Sequence, residues 1–230
     1  MSKLGTLCLM VLAAASSASA QPGTVAVPMH FYGNRPAVEV QVNGQGPFLF
    51  LIDTGAAGPP ARADASLVKR LTIAKTGSTE ASDGGGASVA IDRVTLGRVA
   101  LGSLVANNVA ALSRDYGSSS YLPKIDGILG ISFFKDKLLT LDFLHDRVTV
   151  AEGALPSADG QTVLDYQLVE GNISVEVELG GRRMNAILDT GNLRAVDLPS
   201  SWLKTMRLAS YPRIAGSSTS VSGYAIEMIF

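Results

Sequence analysis

The chain has 230 residues and a formal net charge of −1, with 47% hydrophobic and 17% charged residues. This apolar content supports a packed core and excludes a wholly disordered chain. Proteins that bind nucleic acid usually carry an excess of basic residues, and a net charge near zero shows none, so no nucleic-acid partner is expected. With 24 glycines and 10 prolines among many Val, Leu, Ile and Thr residues, the composition favours an all-β protein with frequent turns.

The first twenty residues have the plan of a cleavable export signal. Lys3 precedes an apolar stretch over residues 4–15, and Ala18-Ser19-Ala20 supplies small residues for cleavage after Ala20. The stretch is shorter than the about 20 residues that span a bilayer, and no later segment is long enough, so no membrane span is predicted. The alternative is a buried N-terminal strand or helix. We expect residues 1–20 to be a signal peptide and the mature protein to be secreted or periplasmic.

Cysteine and histidine are too scarce to carry thiol or zinc chemistry. The single cysteine, Cys8, lies inside the export signal, which predicts a mature chain without disulfides. His30 and His145 stand far apart, and neither has a second ligand at zinc spacing. We therefore expect no metal site and no cofactor.

The chain contains an internal repeat. Residues 38–55 read VEVQVNGQGPFLFLIDTG, and residues 175–191 read VEVELGGRRMNAILDTG. The apolar alternation, the turn glycines and the final Asp-Thr-Gly all correspond, with one residue lost at the turn. This match indicates a duplicated unit of about 136 residues.

Each part of the repeated segment predicts a local structure. Alternating apolar residues over Val38 to Val42 indicate a half-buried strand, and Asn43-Gly44 indicates a tight hairpin turn. The continuous apolar run from Phe48 to Ile52 predicts a strand buried on both faces. The run delivers Asp53 at its end, where an acidic residue is costly unless it is paired, hydrogen-bonded or functional.

The rest of the first unit predicts further strands and turns. Residues 65–71 have weak helical spacing, and Ser82-Asp83-Gly84-Gly85-Gly86 predicts a glycine-tipped hairpin. A phosphate-binding loop is the alternative for these glycines, but no Lys-Ser/Thr and no helix follow. We also predict a strand over 104–112, and a short helix at 131–134 that follows the segment Asp126 to Gly130. Residues 138–143 and 147–150 are predicted to form a hairpin, and residues 152–161 a polar linker.

The order of these motifs resembles the aspartic proteases, most closely the retropepsin-like bacterial type. The resemblance is carried by two Asp-Thr-Gly triplets after apolar runs, a glycine hairpin and Asp126-Gly127-Ile128-Leu129-Gly130. It implies a pepsin- or retropepsin-like fold of two β-barrel-like lobes that pack about a pseudo-twofold axis. The first lobe would span residues 21–151, and the second would span 162–230 and be incomplete.

The resemblance also implies a role for each motif residue. Asp53 and Asp189 would be catalytic, activating a water molecule between their carboxyl groups for attack on a peptide bond of a protein or peptide substrate. Thr54, Gly55, Thr190 and Gly191 would support the two active-site loops. Gly84, Gly85 and Gly86 would form a flap over the substrate, and Ile128 to Gly130 would pack beneath the first Asp loop.

The second unit departs from the family pattern. Asn192 stands where the family usually has Ser, Thr or Ala, and Arg194 follows near Asp189. The chain ends inside an apolar strand pattern, before any partner of Asp126 to Gly130, so the sequence is expected to be a fragment or to have a degenerate second lobe. If the truncated chain is active, two first lobes could form a homodimer that pairs two Asp53 residues.

Three other functional interpretations remain. Each Asp could be a solvated turn residue that ends a strand. The chain could instead be an exported module with this fold that binds peptides by strand addition without cleaving them. A serine hydrolase is the third interpretation, but no Gly-x-Ser-x-Gly elbow occurs, and two isolated histidines are a poor basis for a triad.

Overall fold

The computed structural model describes residues 23–82, 88–116, 124–193, 196–198, 213–220 and 223–229. The fold is all-β, as the composition predicts. Its only α-helix among these residues is α1 (Ala65–Arg70), and a single 3₁₀ turn spans Ile131–Phe134. The strands in chain order are β1 (Val25–Pro28), β2 (His30–Tyr32), β3 (Arg35–Val42), β4 (Gln45–Asp53), β5 (Ala61–Asp64), β6 (Lys75–Ser82), β7 (Ser88–Leu101), β8 (Leu104–Arg114), β9 (Gly127–Gly130), β10 (Leu138–Asp142), β11 (Arg147–Ala151), β12 (Tyr166–Val169), β13 (Asn172–Leu179), β14 (Arg182–Ile187), β15 (Arg213–Ser220) and β16 (Gly223–Ile229).

The first copy of the repeat folds as the predicted hairpin. Strands β3 and β4 pair antiparallel, and Val42 lies opposite Gln45. The two turn residues, Asn43 and Gly44, have φ values of 52° and 76°. Two consecutive residues at positive φ fit a tight turn whose twist matches the flanking strands, and Asn and Gly adopt this conformation at low cost.

Strands of the first unit form an eight-stranded mixed sheet that closes on itself. The strand order is β2-β3-β4-β9-β5-β8-β7-β6, and an additional antiparallel pairing of β3 with β7 joins six of them into a ring. Most neighbours are antiparallel, whereas β4 pairs with β9 and β5 with β8 in parallel. The ring leaves β4 flanked on both edges, which accounts for its burial.

Alternate residues of β4 enter two different hydrophobic clusters. Phe50 and Ile52 belong to the main core together with residues of β3, β7 and β8. Leu51 points to the opposite face, into a smaller cluster with Tyr32 and Ile128. Because successive side chains of a strand point to opposite faces, two clusters require apolar residues at every position. The continuous apolar run therefore predicted this burial correctly.

The strands and short helices predicted for the rest of the first unit are present, with small shifts of boundary. The buried Asp64 is the N-cap of helix α1, and its carboxylate accepts a hydrogen bond of 2.8 Å from the Ser66 backbone N–H. Strands β6 and β7 form the antiparallel hairpin that the glycine cluster predicted. The closing hairpin of β10 and β11 is joined by β1 in a separate three-stranded sheet.

The second unit has a smaller set of strands in the described residues. Strands β12, β13 and β14 form an antiparallel sheet, and β15 pairs with β16. The β13–β14 hairpin turns at Gly180 and Gly181, with φ values of 59° and 76°. It therefore reproduces the β3–β4 hairpin, as the repeat predicts.

The second strand of this hairpin differs from the first copy in its burial. Strand β4 has neighbours on both edges, whereas β14 pairs only with β13 among the described strands. Ile187 and Leu188, which precede Asp189, are 46% and 50% exposed. The repeat predicts that Asp189, like Asp53, follows a buried strand. This prediction is wrong, because no counterpart of β9 lies beside β14 in the described part of the chain.

Within the described residues, no helix has the length and apolarity required to cross a membrane.

Candidate active site

The first Asp loop begins where β4 ends. Asp53 is the last residue of β4 and lies beside Gly130 of β9 in the parallel register. The Gly55 backbone N–H donates to Asp53 Oδ1 at 2.9 Å, and the Ala56 N–H donates to the Asp53 carbonyl at 3.2 Å. These bonds turn the chain sharply and fix the orientation of the carboxyl group.

The second Asp loop repeats this geometry. The Gly191 backbone N–H donates to Asp189 Oδ1 at 2.8 Å, and the Asn192 N–H donates to the Asp189 carbonyl at 3.4 Å. The Asn192 side chain donates to Asp197 at 2.8 Å. Asn192, the departure from the family pattern, therefore does not alter the backbone geometry of this loop.

Two threonines tie the loops together across 136 residues of sequence. The Thr54 N–H donates to Thr190 Oγ1 at 3.1 Å, and the Thr190 N–H donates to Thr54 Oγ1 at 3.0 Å. Each hydroxyl also donates to a backbone carbonyl of the opposite unit: Thr54 to Leu188 at 2.6 Å and Thr190 to Ile52 at 2.8 Å. The four bonds form two matched pairs, which is the bracing that the resemblance implies for these threonines.

The two loop glycines allow the carboxyl groups to approach the opposite loop. A Cβ atom on Gly55 would lie 2.5 Å from Cγ of Asp189, and one on Gly191 would lie 2.5 Å from Oδ2 of Asp53. Neither glycine has a φ value in the left-handed region. The need for glycine at both positions is therefore steric: any side chain would occupy the space of the opposite carboxyl group.

Asp53 and Asp189 face each other, and Asp189 affects the ionisation of Asp53. Burial raises the pKa of Asp53 to about 6, and the charge of Asp189 and a side-chain hydrogen bond between the two carboxyl groups contribute to the same shift. Arg62 and the Gly55 N–H act against the shift by favouring the ionised form. Two carboxyl groups in such contact hold a proton between them at mildly acid pH.

Gly130, the last residue of β9, lies directly against the first Asp loop. A Cβ atom on Gly130 would lie 2.5 Å from the Ala56 carbonyl oxygen, so the loop rests directly on this glycine. The Asp126 carboxylate accepts hydrogen bonds from the Leu49 N–H at 3.0 Å and from Arg70 at 2.8 Å. These contacts hold β9 against β4 and so fix the position of Asp53.

Some predicted site residues lie outside the described part of the chain. The flap glycines Gly84, Gly85 and Gly86 fall in the gap over 83–87, and Arg194 falls in the gap at 194–195. The strands that flank the first gap, β6 and β7, are present as a hairpin.

Two arginines near the carboxyl pair were not identified from the sequence. The charge of Arg62 acts on Asp53, and Asp53 and Asp189 both act on the charge of Arg35. Arg62 lies between the buried Ala61 and Ala63 of β5, so strand alternation indicates that it points away from them. Nothing in the sequence pattern indicates that Arg35 lies near the second Asp loop.

A comparison with protein families supports an aspartic protease family for this chain. Residues 38–133 match the model of a family described as aspartyl protease. The matched range includes the first Asp-Thr-Gly triplet and the Asp126 to Gly130 segment, and it ends before the second copy of the repeat. A search of curated proteins finds no match.

Proposed function

We propose that the protein is an exported aspartic endopeptidase in which Asp53 and Asp189 of one chain form the catalytic pair. The observation that carries this proposal is the reciprocal geometry of the two Asp-Thr-Gly loops. Each carboxyl group lies against the glycine of the opposite loop, and the threonines interlock between them. A solvated turn residue needs neither the contact with a second carboxyl group nor this bracing.

The proposed reaction uses one proton shared by the pair. One carboxyl group of the pair holds the shared proton and donates a hydrogen bond to the carbonyl oxygen of the scissile peptide. The other, ionised carboxylate accepts a proton from a water molecule as the water oxygen bonds to the carbonyl carbon. Proton transfer to the amide nitrogen and rupture of the C–N bond release the two products, and no covalent intermediate forms.

The organisation that we propose follows the repeat. Residues 1–20 direct export to the periplasm or the cell exterior, residues 21–151 form the first lobe, and residues 162–230 belong to a second lobe. Residues 152–161 join them, and the described structure has no strand or helix there. The substrate is a peptide or protein that binds along the cleft between the two Asp loops.

Purified protein and its Asp53→Asn variant test the proposal. We expect the wild-type protein to cleave denatured casein or library peptides at acid pH, with cleavage abolished by a transition-state-mimicking aspartic protease inhibitor. Asp53→Asn keeps the volume and an acceptor for the Gly55 N–H but removes the ionisable group, so activity should fall by about 100-fold or more. Equal rates in the two proteins would refute the assignment of Asp53.

A second candidate function is a non-catalytic peptide-binding module. The observation that favours it is the half-exposed β14, which has a neighbour on one edge among the described strands, whereas β4 has neighbours on both edges. This function predicts saturable peptide binding at acid pH, with every bound peptide recovered intact. Product formation that is sensitive to the inhibitor would exclude it.

A further inference from the structure

We propose that Arg35 and Arg62 make this site selective for substrates with acidic side chains at two positions near the scissile bond. The inference rests on the proposed peptidase function and adds a substrate class to it. The geometry that carries it is the placement of one arginine beside each of the two Asp loops, with hydrogen-bond donors left over.

Arg62 lies against the first Asp loop. Its Nη2 donates to the carbonyl of Ala57, two residues beyond Gly55, at 3.3 Å. The neighbouring residues Ala61 and Ala63 are fully buried, whereas Arg62 is partly exposed. The guanidinium group is therefore tethered to the first Asp loop on a residue that is partly exposed.

Arg35 is the first residue after the turn of the β2–β3 hairpin, and the tip of this hairpin reaches the second Asp loop. At the hairpin tip, Asn34 Nδ2 donates to the Leu193 carbonyl at 3.0 Å, two residues after Gly191. Arg35 Cζ is 4.8 Å from the centre of the Tyr32 ring, and Arg35 Nε donates to the Tyr32 carbonyl at 3.4 Å. Stacking on the ring and partial burial hold this guanidinium group in place near the carboxyl pair.

Both arginines retain unused binding capacity. Within the described residues, neither forms an ion pair within 4.0 Å, and each donates one hydrogen bond out of the five N–H groups of a guanidinium. The charge of Arg62 acts on Asp53, and Asp53 and Asp189 act on the charge of Arg35, which agrees with the placement of both arginines beside the Asp loops.

An acidic substrate side chain fits this arrangement. A guanidinium group binds a carboxylate through two parallel hydrogen bonds, and such charge-assisted bonds are stronger than neutral ones. A lysine or arginine side chain at the same positions would be repelled. At pH 5.5, above the ordinary pKa of Glu of about 4.3, most substrate Glu side chains are ionised and able to pair.

The test compares matched peptides and arginine variants at pH 5.5. The two internally quenched peptides of each pair differ only in carrying Glu or Gln at one position. Successive pairs place this position from the third residue before the scissile bond to the third residue after it. The readout is the ratio of kcat/KM for Glu over Gln, measured for wild type, Arg35→Gln, Arg62→Gln and the charge-retaining Arg35→Lys and Arg62→Lys. Arg98→Gln, at an exposed position of β7, is the matched control.

We expect wild type to prefer Glu by about tenfold at two positions, the size of one charged hydrogen bond. Arg35→Gln should lose the preference at one position and Arg62→Gln at the other, while the Lys variants retain part of it and Arg98→Gln retains both. Wild-type cleavage with equal rates for Glu and Gln peptides at all positions would overturn the inference. Preferences that persist in both Gln variants would also overturn it.

A binding measurement separates this inference from the peptidase proposal. Fluorescence anisotropy of the labelled peptides with Asp53→Asn reports affinity without turnover. If wild type cleaves no peptide, the peptidase proposal fails, and the inference then depends on this measurement. A tenfold tighter binding of Glu peptides that is lost in the Arg-to-Gln variants supports it, and equal affinities overturn it.

Discussion

The raised pKa of Asp53 predicts that replacing this residue stabilises the protein at neutral pH. The native state binds the Asp53 proton more tightly than the unfolded chain, because the native pKa is about 6 and the ordinary value is 3.8. The stability that Asp53 contributes is therefore fully present below about pH 3.8 and is lost as the pH rises to about 6. Above pH 6, the ionised group lies near Asp189 and leaves the native state destabilised.

The size of this effect follows from the two pKa values. A shift of about two units corresponds to about 3 kcal/mol between low and neutral pH, since each unit corresponds to about 1.4 kcal/mol. Asp53→Asn removes the titration, and its side-chain amide can donate to Asp189. We expect the variant to match wild type at pH 3.5 and to exceed its unfolding free energy by about 2–3 kcal/mol at pH 7.5, or about 4–12 °C in Tm.

The assay is urea or thermal unfolding, followed by circular dichroism at half-unit steps from pH 3.5 to pH 8. Asp136→Asn is the matched control, because it makes the same chemical change at an exposed residue whose φ of 60° Asn tolerates. The control should stay within about 0.5 kcal/mol of wild type at every pH. A stability curve for Asp53→Asn that runs parallel to the wild-type curve would refute the burial and pairing of this carboxyl group.

Three further predictions concern the loops. Thr54→Val, which keeps the side-chain shape, removes two cross-loop bonds and should lower the unfolding free energy by about 2–3 kcal/mol in urea titrations, whereas Thr54→Ser should stay close to wild type. Gly191→Ala places a methyl group against Asp53 and should reduce kcat by about tenfold or more in peptide assays, and a normal kcat would contradict the described contact. The specific activity of the wild-type protein should not fall on dilution, and Asp189→Asn should abolish it. Activity that survives this substitution and declines on dilution would instead indicate a homodimer built on two Asp53 residues.

The local structure of the first unit was largely predictable from its sequence. Alternation over Val38 to Val42, the Asn43-Gly44 turn and the apolar run before Asp53 identify the hairpin, because each signal depends only on near neighbours. Reasoning from near neighbours does not reveal why residue 55 has to be glycine. The structure shows that the opposite carboxyl group occupies the space of a side chain there.

The sequence by itself determined the repeat, the all-β character and the identity of the paired Asp-Thr-Gly motifs. Only the tertiary structure decided how the motifs meet, because the contacts that join them link residues about 136 positions apart. It also decided that β4 is enclosed while β14 is half-exposed, since burial depends on which strands lie on each edge. The placement of Arg35 and Arg62 near the carboxyl pair likewise depends on the folding of β2, β3 and β5 around the loops, which no local pattern encodes.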